Sequence, residues 1–254
     1  MKNTKKHPNP NPGTQSIQRA ITLLRAVAKR DKNGARLSNL AREVNLHPAT
    51  ARRLLSVLSA EGLTSFDSVS KLYNLGITLY HLGSAANQFS IREQFHGILK
   101  SIAEETEDTV FLVIRFGHDS MCIDRIEGRY PIRALTLDVG AMRPLGIGAG
   151  SLALIAFLPQ KEREEIIALN TYRYKLFNQV SAEIIRELVQ KSQKRGYVVS
   201  EGLFWPGVTS VGVPVPGPNH DIIAAITVTT ISSRMPRNRQ EKVAETIKRN
   251  AGVI

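Results

Sequence analysis

Residues 36–63, RLSNLAREVNLHPATARRLLSVLSAEGL, constrain the fold of this chain more than any other stretch. The first half predicts a short helix that Ser38 can cap, with an apolar face formed by Leu40, Ala41 and Val44. After a break at Asn45-Leu46, Pro48 suits the first turn of a second helix, where its missing N–H has no partner to lose. That second helix has one apolar stripe, formed by Ala51, Leu54, Leu55 and Leu58. The pattern predicts a helix–turn–helix.

The polar residues of the second helix indicate what it binds. Thr50, Arg52, Arg53 and Ser56 lie off the apolar stripe, with His47 and Ala49 near the helix start. A helix–turn–helix inserts its second helix into the major groove, where arginine pairs with guanine and Thr, Ser and Ala make mixed contacts. An ordinary helical hairpin with a solvated basic face has the same pattern, so the motif alone leaves both interpretations open.

The flanking segments complete a small domain. Residues 16–34 predict a helix capped by Ser16 and ended by Asn33-Gly34, which packs on the other two helices. Residues 63–76 predict a β-hairpin, so the module is a winged helix. Lys71, near the hairpin turn, is a candidate phosphate contact, and a solvated turn lysine is an equal alternative. Ser38 is a further candidate DNA contact, and three residues are expected near the DNA backbone: Arg19, Arg36 and His47.

The charge distribution agrees with a nucleic-acid partner. The formal net charge is +12, and residues 1–76 hold 13 Lys+Arg against 4 Asp+Glu, a net of +9, which leaves +3 for the rest. A basic domain of this kind is the footprint of phosphate binding. Membrane attraction is the competing interpretation, but no amphipathic, lipidation, signal or membrane-spanning segment accompanies it. Cys122 is the only cysteine, so we expect no disulfide and a reducing, cytoplasmic location.

The remainder predicts an α+β domain. Residues 77–90 have a helical pattern that suits a linker helix, whose exposed Ile77 and Tyr80 would form a dimer contact; a core helix of the second domain fits equally. Further predicted helices are 91–108, an apolar helix after a Gly-rich loop in 142–159, 162–170, 181–196 and 239–254. The predicted strands are 109–117, 119–128, 131–140, 209–217 and 222–232. Helices packed on an antiparallel sheet give this fold class.

Motifs for catalysis or cofactor binding are weak. The loop GIGAG (146–150) lacks the GxGxxG spacing and the P-loop Lys-Ser/Thr, which disfavours nucleotide binding. Ser151 has alanine where a nucleophile elbow needs glycine, and the six histidines have no metal-ligand spacing. We expect no cofactor and no metal. Glycines 146, 148 and 150 do free backbone N–H groups beside a helix start, which suits an anion such as a carboxylate.

The ordered combination of segments resembles the IclR family of bacterial transcription regulators. The likeness runs over roughly 16–254 and includes the helix–turn–helix, a hairpin ending LYNLG, IDRIEG, VGAMRPLGIGAGSLALIAFLP, KRGYVVSEG and IIAAITVTTISSRM. It implies a winged helix–turn–helix domain (16–76), a linker helix (77–92) and a GAF-like effector-binding domain (93–254). Residues 1–15, which are rich in Pro, Asn and Lys, are expected to form a disordered arm. It also implies dimers or dimers of dimers on double-stranded, palindromic operators.

The resemblance further implies a pocket for a small metabolite, commonly a carboxylate. By position, the effector-binding residues are Gly148, Ala149, Gly150, Ser200, Ser210, Thr227 and Thr229. The chain departs from the family at LFWPGV (203–208), where Phe204 and Trp205 replace a polar loop. This change suggests a flatter effector, such as an aromatic acid, stacked on either ring; packing of Trp205 in the core or at an interface is the alternative. The runner-up function is a small-molecule-processing enzyme that carries a basic helical module.

Overall fold

The computed structural model describes residues 12–30, 34–84, 87–178, 180–219 and 221–253. The chain divides into two compact units, Met1–Phe89 and Ser90–Ile254. Each unit has its own apolar core, and the larger one has two core clusters on opposite sides of a sheet.

The N-terminal unit is a winged helix–turn–helix. Its helices are α1 (Pro12–Ala28), α2 (Leu37–Glu43), α3 (Pro48–Ala60) and α4 (Thr78–Ser84), and its strands are β1 (Ala35–Arg36), β2 (Thr64–Asp67) and β3 (Leu72–Leu75). The strands form an antiparallel sheet in the order β1-β3-β2. Leu23, Leu40 and Leu55, one from each of the first three helices, are fully buried. Burial of each such side chain contributes about 2 kcal/mol to folding, so the three helices share one apolar core.

Two predicted details of the first helix are wrong. The helix begins at Pro12, so Ser16 lies inside it and is not its cap. Proline at a helix start has no N–H to leave unpaired, which favours this earlier beginning. The helix ends at Ala28 rather than at Gly34, and Asn33 lies outside the described residues. Residues 12–15, assigned to the disordered arm, therefore belong to a helix; 1–11 lie outside the described residues.

The predicted cap of α2 is also wrong. Ser38 stands in the first turn of the helix, and Arg36, with an extended backbone, takes the N-cap position without a side-chain cap. The cause is β1: Ala35 and Arg36 pair with Tyr73 and Leu72 of the hairpin, so the chain passes from strand directly into helix. A two-residue strand has no sequence pattern of its own.

The C-terminal unit confirms the predicted α+β class. Its helices are α5 (Asn87–Thr106), α6 (Ala149–Ala156), α7 (Gln160–Tyr174), α8 (Ala182–Arg195) and α9 (Arg237–Ala251). Its strands are β4 (Thr109–Phe116), β5 (Asp119–Ile126), β6 (Met142–Pro144), β7 (Val198–Glu201), β8 (Val208–Pro216) and β9 (Ile222–Ile231). All pairings are antiparallel, in the order β6-β5-β4-β9-β8-β7.

The two faces of this sheet belong to different core clusters. Side chains alternate along β4, so that Phe111 and Val113 belong to one core cluster and Leu112 to the other. The first cluster includes residues of α6, α7 and α8, and the second includes residues of α5 and α9. On β9, Thr227 and Thr229 point to the side of α6, which places hydroxyl groups in an otherwise apolar layer.

Several predicted elements of this unit need correction. Residues 131–140 form no strand, because Gly140 and Ala141 already bond to Cys122 and β6 continues along the outer edge of β5. The predicted linker helix over 77–90 is shorter: α4 ends at Ser84, and residues 87–90 open α5. Strands β6 and β7 were not predicted. Helix α8 lies within the predicted range 181–196; its N-cap Ser181 accepts from the Ile184 N–H (3.3 Å), and its C-cap is Gly196 at φ +74°.

Candidate DNA-binding surface and effector pocket

A groove between α3 and the wing, the hairpin formed by β2 and β3, brings together residues that lie far apart in the sequence. Its wall includes Arg36 and Ser38 at the start of α2, Arg52 on α3 and Lys71 in the wing turn. Ser56, one helical turn beyond Arg52, continues the same wall. Four of the nine predicted DNA contacts thus share one groove. A groove with arginine and hydroxyl side chains can contact both phosphates and base edges.

The charges of this surface are not neutralised within the unit. Lys29 and Arg30 pair with Glu43 at 3.4 and 2.8 Å, so they contribute little to the net field. By contrast, the basic side chains of the groove, those of Arg36, Arg52 and Lys71, have no carboxylate within 4.0 Å in the described part of the chain. The same holds for Arg53, which is exposed beside the groove on α3. Unpaired cations of this kind are free to neutralise phosphates.

The other predicted contacts lie around the start of α3. His47 is its N-cap, and its Nδ1 accepts a hydrogen bond from the Ala49 N–H at 3.3 Å. Thr50 is half-buried, whereas Ala49 and Arg53 are exposed; none of them lines the groove. Residues 52 and 53 point about 100° apart on a helix. Arg19, half-buried on α1, is also not a groove residue.

The wing turn is fixed by Asp67. Its Oδ1 accepts from the Val69 N–H (2.8 Å) and its Oδ2 from the Ser70 hydroxyl (2.6 Å). The Ser70 hydrogen bond, with those from the backbone, holds the pKa of Asp67 below its usual value. Lys71 follows with φ +59°, a conformation that costs a non-glycine residue energy. The turn thereby holds the lysine at the groove, and Val69, 90% exposed, forms the wing tip.

The second candidate site is a small, partly open cavity in the C-terminal unit, between β8, β9 and the start of α6. Its volume is about 30 Å³. Seven of the nine predicted effector residues are in its wall: Gly148, Ala149, Gly150, Trp205, Ser210, Thr227 and Thr229. The other two are not: Ser200 is buried in β7, and Phe204 is part of the core cluster around α6. The predicted residues thus converge, although the cavity holds only about one water molecule.

Glycines allow the helix and the sheet to approach each other closely here. Gly148, at φ +88°, is the N-cap of α6. A Cβ on Gly150 would lie 2.6 Å from the Thr227 hydroxyl, and one on Gly212 would lie 2.7 Å from the Ala149 carbonyl oxygen. Any side chain at positions 150 or 212 would therefore push α6 away. The helix N-terminus, with its free N–H groups, consequently faces the cavity.

Thr227 brings an unsatisfied hydroxyl to this cavity. The residue is 5% exposed, and its Oγ1 has no hydrogen-bond partner among the residues that the structure describes. Its neighbour on β8 is Gly212, which has no side chain, and its neighbour on β4 is Phe111, which has no polar atom. Ser210 and Thr229, the next pair along, do bond to each other at 3.0 Å. Buried hydroxyls without partners are uncommon and require an explanation, such as a bound ligand.

Arg143 is the site residue that sequence reasoning missed. It lies in the cavity wall, its Nη2 donates to the Thr136 carbonyl oxygen, and its Cζ lies 4.1 Å from the centroid of the Trp205 ring. Burial lowers the pKa of Arg143 to about 10, which still leaves the guanidinium charged at neutral pH. The only signal in the sequence is an arginine beside Pro144, and that does not reveal that β6 directs it into the cavity.

Ser151 has a structural task. Its hydroxyl donates to the Pro144 carbonyl oxygen (3.1 Å) and accepts from the Gly146 N–H (3.0 Å), so it ties the glycine-rich loop together.

Burial raises the pKa of the Cys122 thiol to about 12, which keeps it protonated. In the described ranges no three His, Cys, Asp or Glu side chains gather as metal ligands, and no helix is long and apolar enough to cross a membrane.

Comparison with known proteins decides the family. Residues 83–254 match the family model described as "Bacterial transcriptional regulator IclR C-terminal", and residues 16–68 match the "IclR helix-turn-helix domain". The chain belongs to the IclR family. The resemblance found in the sequence is confirmed, and this IclR protein is a transcription regulator with a DNA-binding helix–turn–helix and an effector domain.

Relatives cover nearly the whole IclR chain. The regulator KipR of Bacillus subtilis is 25% identical over 84% of this chain and 85% of its own. XynR of Escherichia coli is 26% identical over 88% and 89%. The Thermotoga maritima IclR structure has a TM-score of 0.74 at 24% identity, covering 94% of this chain and 97% of that one. An IclR homolog of Microbacterium hydrocarbonoxydans complexed with 4-hydroxybenzoate has a TM-score of 0.80 at 16% identity, covering 93% and 97%.

Proposed function

We propose that this protein controls a catabolic operon from the cytoplasm, without catalysis of its own. It binds a palindromic operator as a homo-oligomer, and a small organic acid in the cavity beside α6 changes its affinity for DNA. The observation that carries this proposal is the pairing, in one chain, of an unneutralised basic groove with a cavity that offers free hydrogen-bond donors.

The groove supports sequence-specific DNA binding. Arg52 stands within it and Arg53 beside it, both exposed on the helix that enters the major groove in helix–turn–helix proteins. Arg36 and Lys71 flank this helix, in positions that suit phosphate contacts. Ile77 and Tyr80, 70% and 71% exposed, support a dimer contact near α4 that would present two recognition helices to the two halves of a palindrome.

The cavity supports an acidic effector. The α6 N-terminus provides partial positive charge, Thr227 provides a hydroxyl without a partner, and Trp205 provides an aromatic face. The complex of the Microbacterium homolog with 4-hydroxybenzoate favours an aromatic acid. No carboxylate, imidazole or thiol is in the cavity wall formed by the described residues, which disfavours the enzyme alternative, since a general base is the usual requirement.

The test begins with DNA. Selection of binding sites from a random duplex pool should yield a palindrome, and fluorescence anisotropy should show affinity that falls steeply with salt. Arg52→Ala and Arg53→Ala should each lower the preference for the selected site by about 1–3 kcal/mol, because each removes a base contact. Thermal shift with benzoate, 4-hydroxybenzoate, pyruvate and succinate then tests the effector.

The outcomes are separable. Loss of site preference in both variants, with a higher melting temperature in at least one acid, supports both halves of the proposal. Full site preference in both variants would rule out the recognition-helix assignment. No stabilisation by any acid of the panel would remove the effector assignment and leave DNA binding in place. Turnover of one of these acids would favour the enzyme alternative.

A further inference from the structure

Arg143 occupies the solvent side of the cavity without a partner that matches its charge. It is half-buried, as is Trp205, whereas Thr227 behind them is buried. In the described part of the chain no carboxylate lies within 4.0 Å of the guanidinium, and Asp138, which acts on it electrostatically, pairs with Arg125 at 2.9 Å. The guanidinium instead contacts the neutral Thr136 carbonyl oxygen and the face of the Trp205 indole ring.

This cation converges with the start of α6. A Cβ built on Gly148, the N-cap, would lie 3.9 Å from Arg143 Nη1 and 3.7 Å from the Trp205 ring. The free N–H groups of a helix start attract anions, and the planar guanidinium donates two parallel hydrogen bonds to a carboxylate. One carboxylate placed beside Gly148 would therefore meet both donors, with the aromatic ring adjacent.

The size of the cavity indicates that something must move first. A volume of about 30 Å³ does not accept an organic acid. Arg143 and Trp205 are two of the half-buried residues of the cavity wall. Among the described residues, the contacts given for the Arg143 guanidinium are one hydrogen bond to a neutral carbonyl oxygen and one ring contact. Exchange of a neutral acceptor for a carboxylate roughly doubles the strength of such a hydrogen bond.

We propose that Arg143 is the residue that selects a carboxylate effector: it bonds to Thr136 and stacks on Trp205 in the cavity wall, and it turns to pair with the incoming carboxylate at the α6 N-terminus. This inference rests on the proposed function, because it takes the cavity to be an effector site. A neutral analogue of the same shape offers Arg143 no acceptor that is stronger than the Thr136 carbonyl oxygen, because it lacks the negative charge of a carboxylate. The pocket therefore discriminates acids from their amides, and Thr227 favours an acid with a second polar group at its inner end.

A first test needs no knowledge of the effector. Trp205 is the only tryptophan of the chain, so its fluorescence reports on this position alone. Iodide, an anion, and acrylamide, a neutral quencher, are compared at constant ionic strength. We expect the ratio of the iodide to the acrylamide quenching constant to fall by about twofold or more in Arg143→Gln, because the local cation is lost. Arg143→Lys should retain most of the ratio.

Arg163→Gln is the matched control. Arg163 is half-buried and donates to a backbone carbonyl, that of Leu158 at 2.9 Å, but it is not in the cavity wall. The variant should keep the wild-type ratio. An equal ratio in wild type and Arg143→Gln would overturn the assignment of a cationic pocket mouth.

The second test compares acids with amides on the same variants. Benzoate and pyruvate are paired with benzamide and pyruvamide in thermal shift and in titration of Trp205 fluorescence. We expect an acid to bind wild type and Arg163→Gln in preference to its amide, and to bind Arg143→Gln about 10- to 100-fold more weakly, since a hydrogen bond to a charged group is lost. Arg143→Lys should fall between.

The two proposals fail in different ways. An acid that stabilises wild type and Arg143→Gln equally, or an amide that binds as well as its acid, overturns the role of Arg143 while the effector pocket stands. Absence of binding by every acid of the panel removes the effector pocket itself, and the role of Arg143 with it. Preference for the acid that disappears only in the Arg143 variants supports the inference.

Discussion

At the scale of single residues, the buried Thr227 hydroxyl lowers the stability of the folded state at the proposed effector site. A buried hydroxyl without a partner destabilises the folded state by about 1–3 kcal/mol. We predict that Thr227→Val, which keeps the shape and removes the hydroxyl, raises the free energy of unfolding by about 1 kcal/mol. The same variant should bind acids more weakly. Urea unfolding followed by Trp205 fluorescence, together with acid titration, measures both effects.

Thr230→Val is the control for this variant. Among the described residues, the Thr230 hydroxyl is also buried without a partner. On β9 it points to the face of the sheet opposite to that of Thr227 and Thr229, and it is not in the cavity wall. It should gain stability and keep acid binding. If Thr227→Val binds acids as wild type does, the hydroxyl has no part in effector recognition.

Cys122 predicts a dependence of stability on pH. Its pKa is raised to about 12 by burial, against about 8.5 in the unfolded chain. The unfolded state therefore loses this proton first, so stability is full below about pH 8.5 and decreases above it. Between pH 8.5 and 10, wild type should lose about 1.5 kcal/mol more than Cys122→Ala.

Urea unfolding at a series of pH values measures this difference. The window stops at pH 10 because Tyr174, whose pKa burial also raises, adds its own dependence there. The alanine variant lowers stability at every pH by loss of packing, so the slopes are compared rather than the absolute values. Identical slopes would mean that the thiol is not buried as described.

At the scale of elements, a buried charge cluster joins the ends of α5, β9 and α9. Asp108, with a side chain 1% exposed, accepts a hydrogen bond from Arg234 Nε at 3.0 Å and forms an ion pair with Arg239 Nη2 at 2.7 Å. Arg234 also pairs with Glu107 at 2.8 Å and lies 3.9 Å over the Tyr130 ring. We predict that Asp108→Asn destabilises the C-terminal unit by about 3 kcal/mol, because Arg239 loses this counter-charge and Arg234 keeps only the partly exposed Glu107.

The matched control is Glu105→Gln. Glu105 pairs with Arg249, but both side chains are largely exposed, at 46% and 64%. Water screens such a pair, and its loss should cost less than about 1 kcal/mol. Trp205 fluorescence during urea unfolding reports on this unit alone. An equally small effect in both variants would show that the Asp108 cluster is not a tie between the elements.

The wing makes a separate prediction about DNA. Lys71→Asn removes the charge and keeps the turn, because asparagine tolerates the φ of +59° better than most residues. The slope of log affinity against log salt concentration should decrease by about 1 for each wing that contacts a phosphate. Lys29→Gln, a change at a lysine already paired with Glu43, should leave the slope unchanged. An unchanged slope in Lys71→Asn would place the wing away from the phosphates.

The elements that the sequence predicted have strong local patterns. The helix–turn–helix, the wing hairpin, β4, β5, β8 and β9 follow from apolar periodicity and turn residues. Strands β1, β6 and β7 have 2, 3 and 4 residues. These segments become strands because they pair with neighbouring strands, and their own composition does not indicate it. Residues 131–140 alternate like a strand, but their place at the edge of β5 is taken by the residues that follow.

The same distinction applies to the effector pocket. The glycines and Thr227 were predicted from the anion-binding loop and from family position, and seven of nine predicted residues line the cavity. The missing hydrogen bond of Thr227 depends on Gly212 in another strand, and the place of Arg143 depends on the unpredicted β6. Such pairings join distant segments, so no local pattern contains them.

At the scale of the whole molecule, the chain joins a basic winged-helix unit to a unit that we propose binds an acid. An effector can shift DNA affinity only if it binds the DNA-competent and the other arrangement with different free energies. The coupling is then reciprocal: the acid changes the Kd for DNA by the factor by which DNA changes the Kd for the acid.

Coupling between the two units is measured by the Kd of the full chain for its selected palindrome, by fluorescence anisotropy, without and with a saturating acid of the panel. We expect a change of about fivefold or more, and the same factor when the acid is titrated in the presence of DNA. Arg143→Gln should bind the palindrome as wild type does and lose the response to the acid. An unchanged Kd for DNA, at acid concentrations that fill the pocket, would mean that the acid does not regulate DNA binding.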